Sequence, residues 1–125
     1  KVDGETKQAA LAALGGCDFV KHVVVVDADI DIYNEEEVMW AVATRFDATR
    51  DLVVVPDTPI DYLDFASPQP GLGGKMGLDA TNKIGSETAR EWGRPIRMSD
   101  EIVDLVSRKW PSLGLPGTGQ PIWKK

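Results

Sequence analysis

Apolar residues fall along this chain in two kinds of pattern. Val23 to Val26 and Leu52 to Val55 are unbroken apolar runs, the mark of strands covered on both faces. Val38, Val42 and Phe46, and further on Ile102, Val106 and Trp110, recur instead at helical spacing, with Met39 and Val103 beside them. Asp3 is placed to cap an alanine-rich helix that runs to Leu14 and stops at Gly15-Gly16. Asn34, with Glu37 three residues on, forms an Asn variant of the capping box. Glu35, Glu36 and Glu37 load the first turn of a helix expected to reach about Arg45.

Strand, helix and strand in that order predict a right-handed βαβ unit, with Val23–Val26 central and parallel and with Pro56 stopping the second strand. The fold class expected is α/β: a βαβ-containing sheet, flanking helices and a long Gly/Pro-rich loop. That loop is the stretch from Pro56 to Lys83, too long for an idle connection inside a compact domain. Ser86 predicts a short helix through Trp92, Pro95 to Met98 a short extended piece, and Ser99 a helix that Pro111 ends. The tail from Leu113 to Lys125, with Trp123, reads as an arm that docks on a neighbour. No internal repeat is visible.

Composition narrows the function classes. The 125 residues suffice for one domain and one core, with 42% hydrophobic and 27% charged residues. A net charge of −6 argues against a general nucleic-acid binder. Cys17 is the only cysteine, so an intrachain disulfide and a cysteine-based zinc site are excluded, and packing is the better reading of it than nucleophilic chemistry. There is no signal-peptide pattern, and the Val23–Val26 run is far too short to span a bilayer. The cytosol is the default expectation. A start at Lys1 in the lead-in to a helix reads as a fragment of a longer protein.

Three groups of residues invite chemistry. Asp27, Asp29 and Asp31 alternate at the end of a buried strand, where α/β folds hold magnesium or a nucleophilic aspartate; acids also end strands simply because they make turns. His22 stands just before the strand, where a hydrogen-bonded structural histidine is the commoner case. The stretch GLGGKMGLDATNK, Gly71 to Lys83, looks at first like a phosphate cradle. It fails the Walker A pattern, which needs a glycine where Gln69 stands and a hydroxyl residue where Met76 stands. It fails the dinucleotide pattern too, again at Met76. What remains is a close-approach backbone with an ammonium, suited to one phosphate or carboxylate. Trp40, Trp92, Trp110 and Trp123 read as packing residues of a core or interface.

KHVVVVDADIDIYNEEEVMWAVATRFDATRDLVVVP, then TPIDYLDFAS, GLGGKMGLDATNK and REWGRPI, resemble in order and spacing the C-terminal region of the UbiD-type decarboxylases. The likeness runs from about Lys7 to Ile96. The IDYLDFAS and KMGLDATNK blocks look most like the branch that acts on 4-hydroxy-3-polyprenylbenzoate in ubiquinone synthesis. Ala28 departs from the pattern where a further acid is often found.

The resemblance implies an aromatic acid carboxy-lyase that works with prenylated FMN, manganese and often potassium. The flavin is an electrophile and electron sink for loss of CO2. The catalytic residues and metal ligands then lie in an upstream flavin domain of the same chain, none of them in this sequence, and a flavin prenyltransferase supplies the cofactor. Residues 1–125 become a single, C-terminal oligomerisation domain that forms one wall of the cleft, inactive alone and part of a homo-oligomer, a dimer or hexamer. The resemblance gives Lys75 the flavin phosphate, held in a loop with Gly71, Gly73 and Gly74, and leaves Asp79, Thr81 and Lys83 as cleft-lining residues. A long greasy substrate tail allows a loose membrane association of the parent, although no segment here anchors one. Two other readings stand beside this one: a magnesium-dependent phosphoryl-transfer domain using Asp27 and Asp29, and a pure assembly module.

Overall fold

A computed structural model describes residues 1–121. Its three strands, β1 (His22–Val25), β2 (Leu52–Pro59) and β3 (Leu72–Asp79), form one sheet in the order β1-β3-β2. β3 runs parallel to β1, with His22 opposite Met76 and Val25 opposite Asp79. β2 lies antiparallel on the other side, with Leu52 opposite Leu78 and Pro59 opposite Leu72.

The α/β class with flanking helices is therefore found, with a different strand plan. β1 is an edge, not the centre, and its parallel partner is β3; α2 (Glu35–Arg45) and β2 both lie in the crossover between them. The stretch expected as a Gly/Pro-rich loop supplies the middle strand. Nor does Pro56 stop β2. The register shifts between Val55 and Thr58, where Pro56 has no N–H to offer and Asp57 takes φ 54°, and pairing resumes beyond this irregularity.

Burial in β3 has the strand period of two: Gly73, Lys75 and Gly77 are buried, and Gly74 is exposed. The inward residues are thus glycine, lysine and glycine, which no hydrophobic pattern would reveal. Two of these glycines are needed for close approach. A Cβ on Gly77 would stand 3.1 Å from the Ala10 Cβ and 3.6 Å from Leu14 Cδ1, so helix α1 (Glu5–Gly16) lies directly against the strand. One on Gly73 would fall 2.5 Å from Ile60 Cδ1.

α1 does not use Asp3 as its cap. Gly4 occupies that position at φ 81°, and the Asp3 carboxylate instead accepts the Ser86 hydroxyl. Gly15 and Gly16 complete the helix, which ends at an extended Cys17. α2 starts at Asn34 as expected, but without the reciprocal capping box, since the Asn34 backbone N–H goes to the Asp31 carbonyl at 2.9 Å. The Asn34 side chain accepts the Glu36 N–H at 3.2 Å, while the Glu37 carboxylate takes the Asn34 amide at 3.3 Å and the Asp31 N–H at 2.9 Å. Ala41 of α2 packs with Ile30 and Ala80, flanked by Val26, Val38, Trp40 and Val42. Ser86 lies in a single 3-10 turn, Gly85–Glu87, rather than a helix to Trp92.

The chain divides into two compact units, Lys1–Trp92 and Gly93–Lys125, where the sequence suggests one domain. Residues 95–98 form no strand. In the second unit α3 (Asp100–Lys109) buries Val103 and continues as a 3-10 turn, Trp110–Leu113, that Pro111 enters rather than ends. The Trp110 indole N–H donates to the Pro116 carbonyl at 3.1 Å. Trp123, assigned to a docking arm by the sequence, lies outside the described residues.

Candidate functional site

Polar side chains gather where β1 and β3 end and β2 begins. Asp79 closes β3, Asp27 follows β1 and Asp51 precedes β2. Between Asp51 and Asp79 the Lys83 side chain is fully enclosed. Its ammonium stands 3.0 Å from Asp79 Oδ1 and 3.3 Å from Asp51 Oδ2, and donates to the Asp79 carbonyl at 2.9 Å. Arg50 grips Asp51 with Nε and a terminal nitrogen, both at 2.7 Å, and donates to the Glu87 carbonyl at 2.6 Å. Thr81 gives Asp79 Oδ1 its N–H at 3.0 Å and its hydroxyl at 2.5 Å.

A lysine removed from water is tolerable only when charges and hydrogen bonds replace its hydration, and here two carboxylates do so. Burial pushes the Asp51 carboxyl up, but the bonds from Arg50 and the Asp47 N–H, with the Lys83 charge, outweigh it and hold the group below the usual carboxylate value. Burial raises Asp79 in the same way, and Thr81 and Lys83 bring it below that value. Both acids are thereby fixed in the charged form that Lys83 needs.

The DADID acids meet a guanidinium. Arg45, at the end of α2, donates to the two Asp29 oxygens at 3.1 and 2.7 Å and stands 3.5 Å from Asp27 Oδ2. Asp27 Oδ2 also accepts the Asn82 N–H at 2.6 Å, and Asp31 accepts the Tyr33 N–H at 2.9 Å in a turn. The Trp40 ring lies under Arg45, 5.2 Å from its centroid. Among the described residues, no group of three or more His, Cys, Asp or Glu is placed to hold a metal ion. The engagement of both Asp27 and Asp29 by one guanidinium counts against the phosphoryl-transfer reading.

Lys75 is 4% exposed, and its ammonium donates to the carbonyls of Leu14 at 2.9 Å and Cys17 at 2.8 Å. These carbonyls lie at the C-terminal end of α1, where the chain has no further helical N–H to offer. Lys75 thus caps a helix across the sheet. Gly73 and Gly74 lie within an extended strand and Gly71, at φ 76°, makes the turn into it. Thr81 and Lys83 are buried, and the half-buried Asp79 is bonded to Thr81 and stands 3.0 Å from the Lys83 ammonium. Cys17 is exposed rather than packed, and His22 opens β1 on an exposed position. Among the described residues, no buried side-chain nitrogen or oxygen lacks a partner.

Sequence reasoning missed Arg45, Arg50 and Asp51. Their one signal is position: Arg50 and Asp51 stand just before the Leu52–Val55 run and Arg45 ends α2, while the Asp29 partner of Arg45 and the Lys83 partner of Asp51 are distant in the chain. For Arg45 the partner acids Asp27 and Asp29, and for Lys83 one of its two, Asp79, were already singled out, but as chemistry and not as counter-ions.

A family model described as the 3-octaprenyl-4-hydroxybenzoate carboxy-lyase C-terminal domain matches residues 1–80. Among solved structures, the UbiD-class enzyme HmfF from Pelotomaculum thermopropionicum in complex with FMN is 44% identical over 76% of this chain and 22% of its own, with a TM-score of 0.63. An evolved dimeric form of the same enzyme, in complex with prFMN, matches 73% of this chain and 18% of its own at 41% identity and TM-score 0.52. The vanillic acid decarboxylase of Sedimentibacter hydroxybenzoicus, in closed form, is 29% identical over 90% of this chain and 24% of its own, with a TM-score of 0.72. The 3,4-dihydroxybenzoic acid decarboxylase of Klebsiella pneumoniae is 26% identical over 78% and 22%, with a TM-score of 0.65. The chain spans less than a quarter of the length of each of these proteins.

Proposed function

The chain belongs to the UbiD family, as its C-terminal domain, and on that premise we propose that it is one part of a longer carboxy-lyase that removes CO2 from an aromatic acid. The observation that carries this reading is the 44% identity over 76% of the chain to a UbiD-class enzyme in complex with FMN. The vanillic and dihydroxybenzoic acid decarboxylases support an aromatic substrate. The description of the matching family supports a finer reading, 4-hydroxy-3-polyprenylbenzoate in ubiquinone biosynthesis.

In this reading prenylated FMN, when bound in the parent enzyme, supplies the electron sink for decarboxylation. The flavin, manganese and potassium are held by upstream residues. The cytosol, a flavin prenyltransferase as supplier and a homo-oligomer belong to the same proposal, and among the described residues no helix is long and apolar enough to cross a membrane. The residues described above have a mechanical task. Lys75 ties α1 to β3, and Lys83 ties β3 to the start of β2. The satisfied interior favours a scaffold over a cofactor site, so the assembly-module reading survives as a description of this region within the enzyme.

The test is a substrate panel on the flavin-loaded parent. Turnover of 4-hydroxy-3-polyprenylbenzoate above simple hydroxybenzoates supports the ubiquinone reading. Turnover of the simple acids alone rejects it and keeps the carboxy-lyase. Turnover of neither rejects both.

A further inference from the structure

The first unit is fastened at its last residue. The Trp92 indole N–H donates to the Asn82 side-chain oxygen at 2.8 Å, and the Asn82 N–H in turn donates to Asp27 Oδ2 at 2.6 Å. Between them, Glu87 gives its carbonyl to Arg50 at 2.6 Å and its carboxylate to the Ile84 N–H at 3.0 Å. The stretch from Asn82 to Trp92 is therefore tied to the strand ends, although only Gly85–Glu87 within it is helical.

Beyond Trp92 the ties stop. Every residue from Gly93 to Ser99 is exposed, the apolar Ile96 to 82%, and none lies in a helix, strand or turn. Among the described residues, none bonds the backbone of Gly93, Arg94 or Ile96, and a Cβ on Gly93 would meet nothing within 4 Å. Order returns at Ser99, whose carbonyl accepts the Val103 N–H at 3.0 Å as α3 begins. The division into two compact units falls at Gly93.

A segment with so little buried contact and so much exposed backbone opens at small free-energy cost, and exposed joints between units are where proteases nick a chain. The basic residues differ in what they offer such an enzyme. Arg45, Lys75 and Lys83 are buried in the first unit. Arg90 lies two residues before the Trp92 fastening. Arg94 precedes Pro95, whose fixed φ and missing N–H bar that bond from a trypsin-like site. The Arg97–Met98 bond carries neither obstacle and lies within the extended stretch.

We propose that residues 93–99 form a proteolytic joint with Trp92 as its fixed end, and that Arg97–Met98 is the bond that a serine protease of basic specificity hydrolyses first. Water adds across that amide, leaving a carboxylate on Arg97 and an amine on Met98. The sheet stays intact, because every bond described for β1, β2 and β3 is made by residues before Gly93. The inference goes beyond the carboxy-lyase reading and uses none of its chemistry.

The experiment is limited trypsin digestion of the full-length parent under native conditions, with the products read by intact-mass spectrometry. Within residues 1–125 the first cut should follow Arg97, about tenfold faster than after any lysine or arginine of the first unit. Amide exchange in β1, β2 and β3 should be the same before and after that cut. Arg97→Gln should abolish the cut without moving it into the first unit. Trp92→Phe keeps a ring and removes the donor, and should raise cutting after Arg90 severalfold. A first cut within the first unit, an uncut Arg97, or loss of strand protection on cleavage overturns the proposal, and an Arg90 equally resistant in Trp92→Phe overturns Trp92 as the fixed end. A parent that is cut as expected but releases no CO2 loses the assigned function and keeps the joint.

Discussion

The Lys75 ammonium lies 2.9 Å from the carbonyl oxygen of Leu14, a residue 61 positions away, so the middle strand of the sheet holds the end of helix α1. Lys75→Met retains the stem and removes the donors. Hydrogen bonds to charged groups contribute about 1.5–3 kcal/mol each net of exchange with water, and a loss of about 2–3 kcal/mol is expected in urea unfolding. Flavin content per folded parent should be unchanged. Loss of flavin at unaltered stability would return Lys75 to the phosphate role that the family resemblance assigned it.

Acid should weaken the cluster around Lys83. Asp51 and Asp79 are held below the ordinary carboxylate value, so their contribution is present above the unfolded-state pKa of about 4 and is lost as pH falls through the lower folded-state values. The urea midpoint should therefore be flat in these groups from neutral pH to about 5 and fall below about 4. Asp51→Asn should lower stability at neutral pH and flatten that acid limb. An unchanged limb in the variant would show that Asp51 is not linked to folding.

Arg45 balances Asp27 and Asp29 from within, with its own side chain 3% exposed. Arg45→Met removes the guanidinium from both carboxylates and should cost about 1–3 kcal/mol. Adding Asp29→Asn should recover part of that loss. Full additivity of the two changes in a double-mutant cycle would show that the pair does not interact.

Glycines in this chain separate by what surrounds them. Gly73→Ala drives a methyl to 2.5 Å from Ile60 Cδ1 and should destabilise by about 1–3 kcal/mol. Gly15→Ala meets open space within α1 and should stabilise by up to about 1 kcal/mol. Thermal unfolding of both variants checks the contrast, and equal effects would contradict the packing described for β3.

The helices and two of the three strands were legible because their apolar residues repeat or run together: Val38 and Val42 in α2, Ile102 and Val106 in α3, Val23–Val25 and Leu52–Val55 in β1 and β2. β3 was not legible. Its inward positions are Gly73, Lys75 and Gly77, chosen by the closeness of α1 and Ile60 and by the carbonyls at the end of α1, all of them contacts across the fold. With β3 unseen, β1 and β2 were paired with each other. Site residues suffered likewise. For Lys75 and Lys83 the partners at Leu14, Cys17 and Asp51 are long-range, so the bracing they provide could not be read from the chain. The family likeness survived because it rests on the order of whole blocks.

The most direct test of the central claim is release of labelled CO2. The full-length parent, produced with a flavin prenyltransferase, is incubated with carboxyl-labelled hydroxybenzoates with and without a polyprenyl tail, and residues 1–125 alone serve as control. Labelled CO2 from the parent and none from the 125-residue chain is the predicted result. A parent that carries its flavin yet releases no CO2 from any aromatic acid would contradict it.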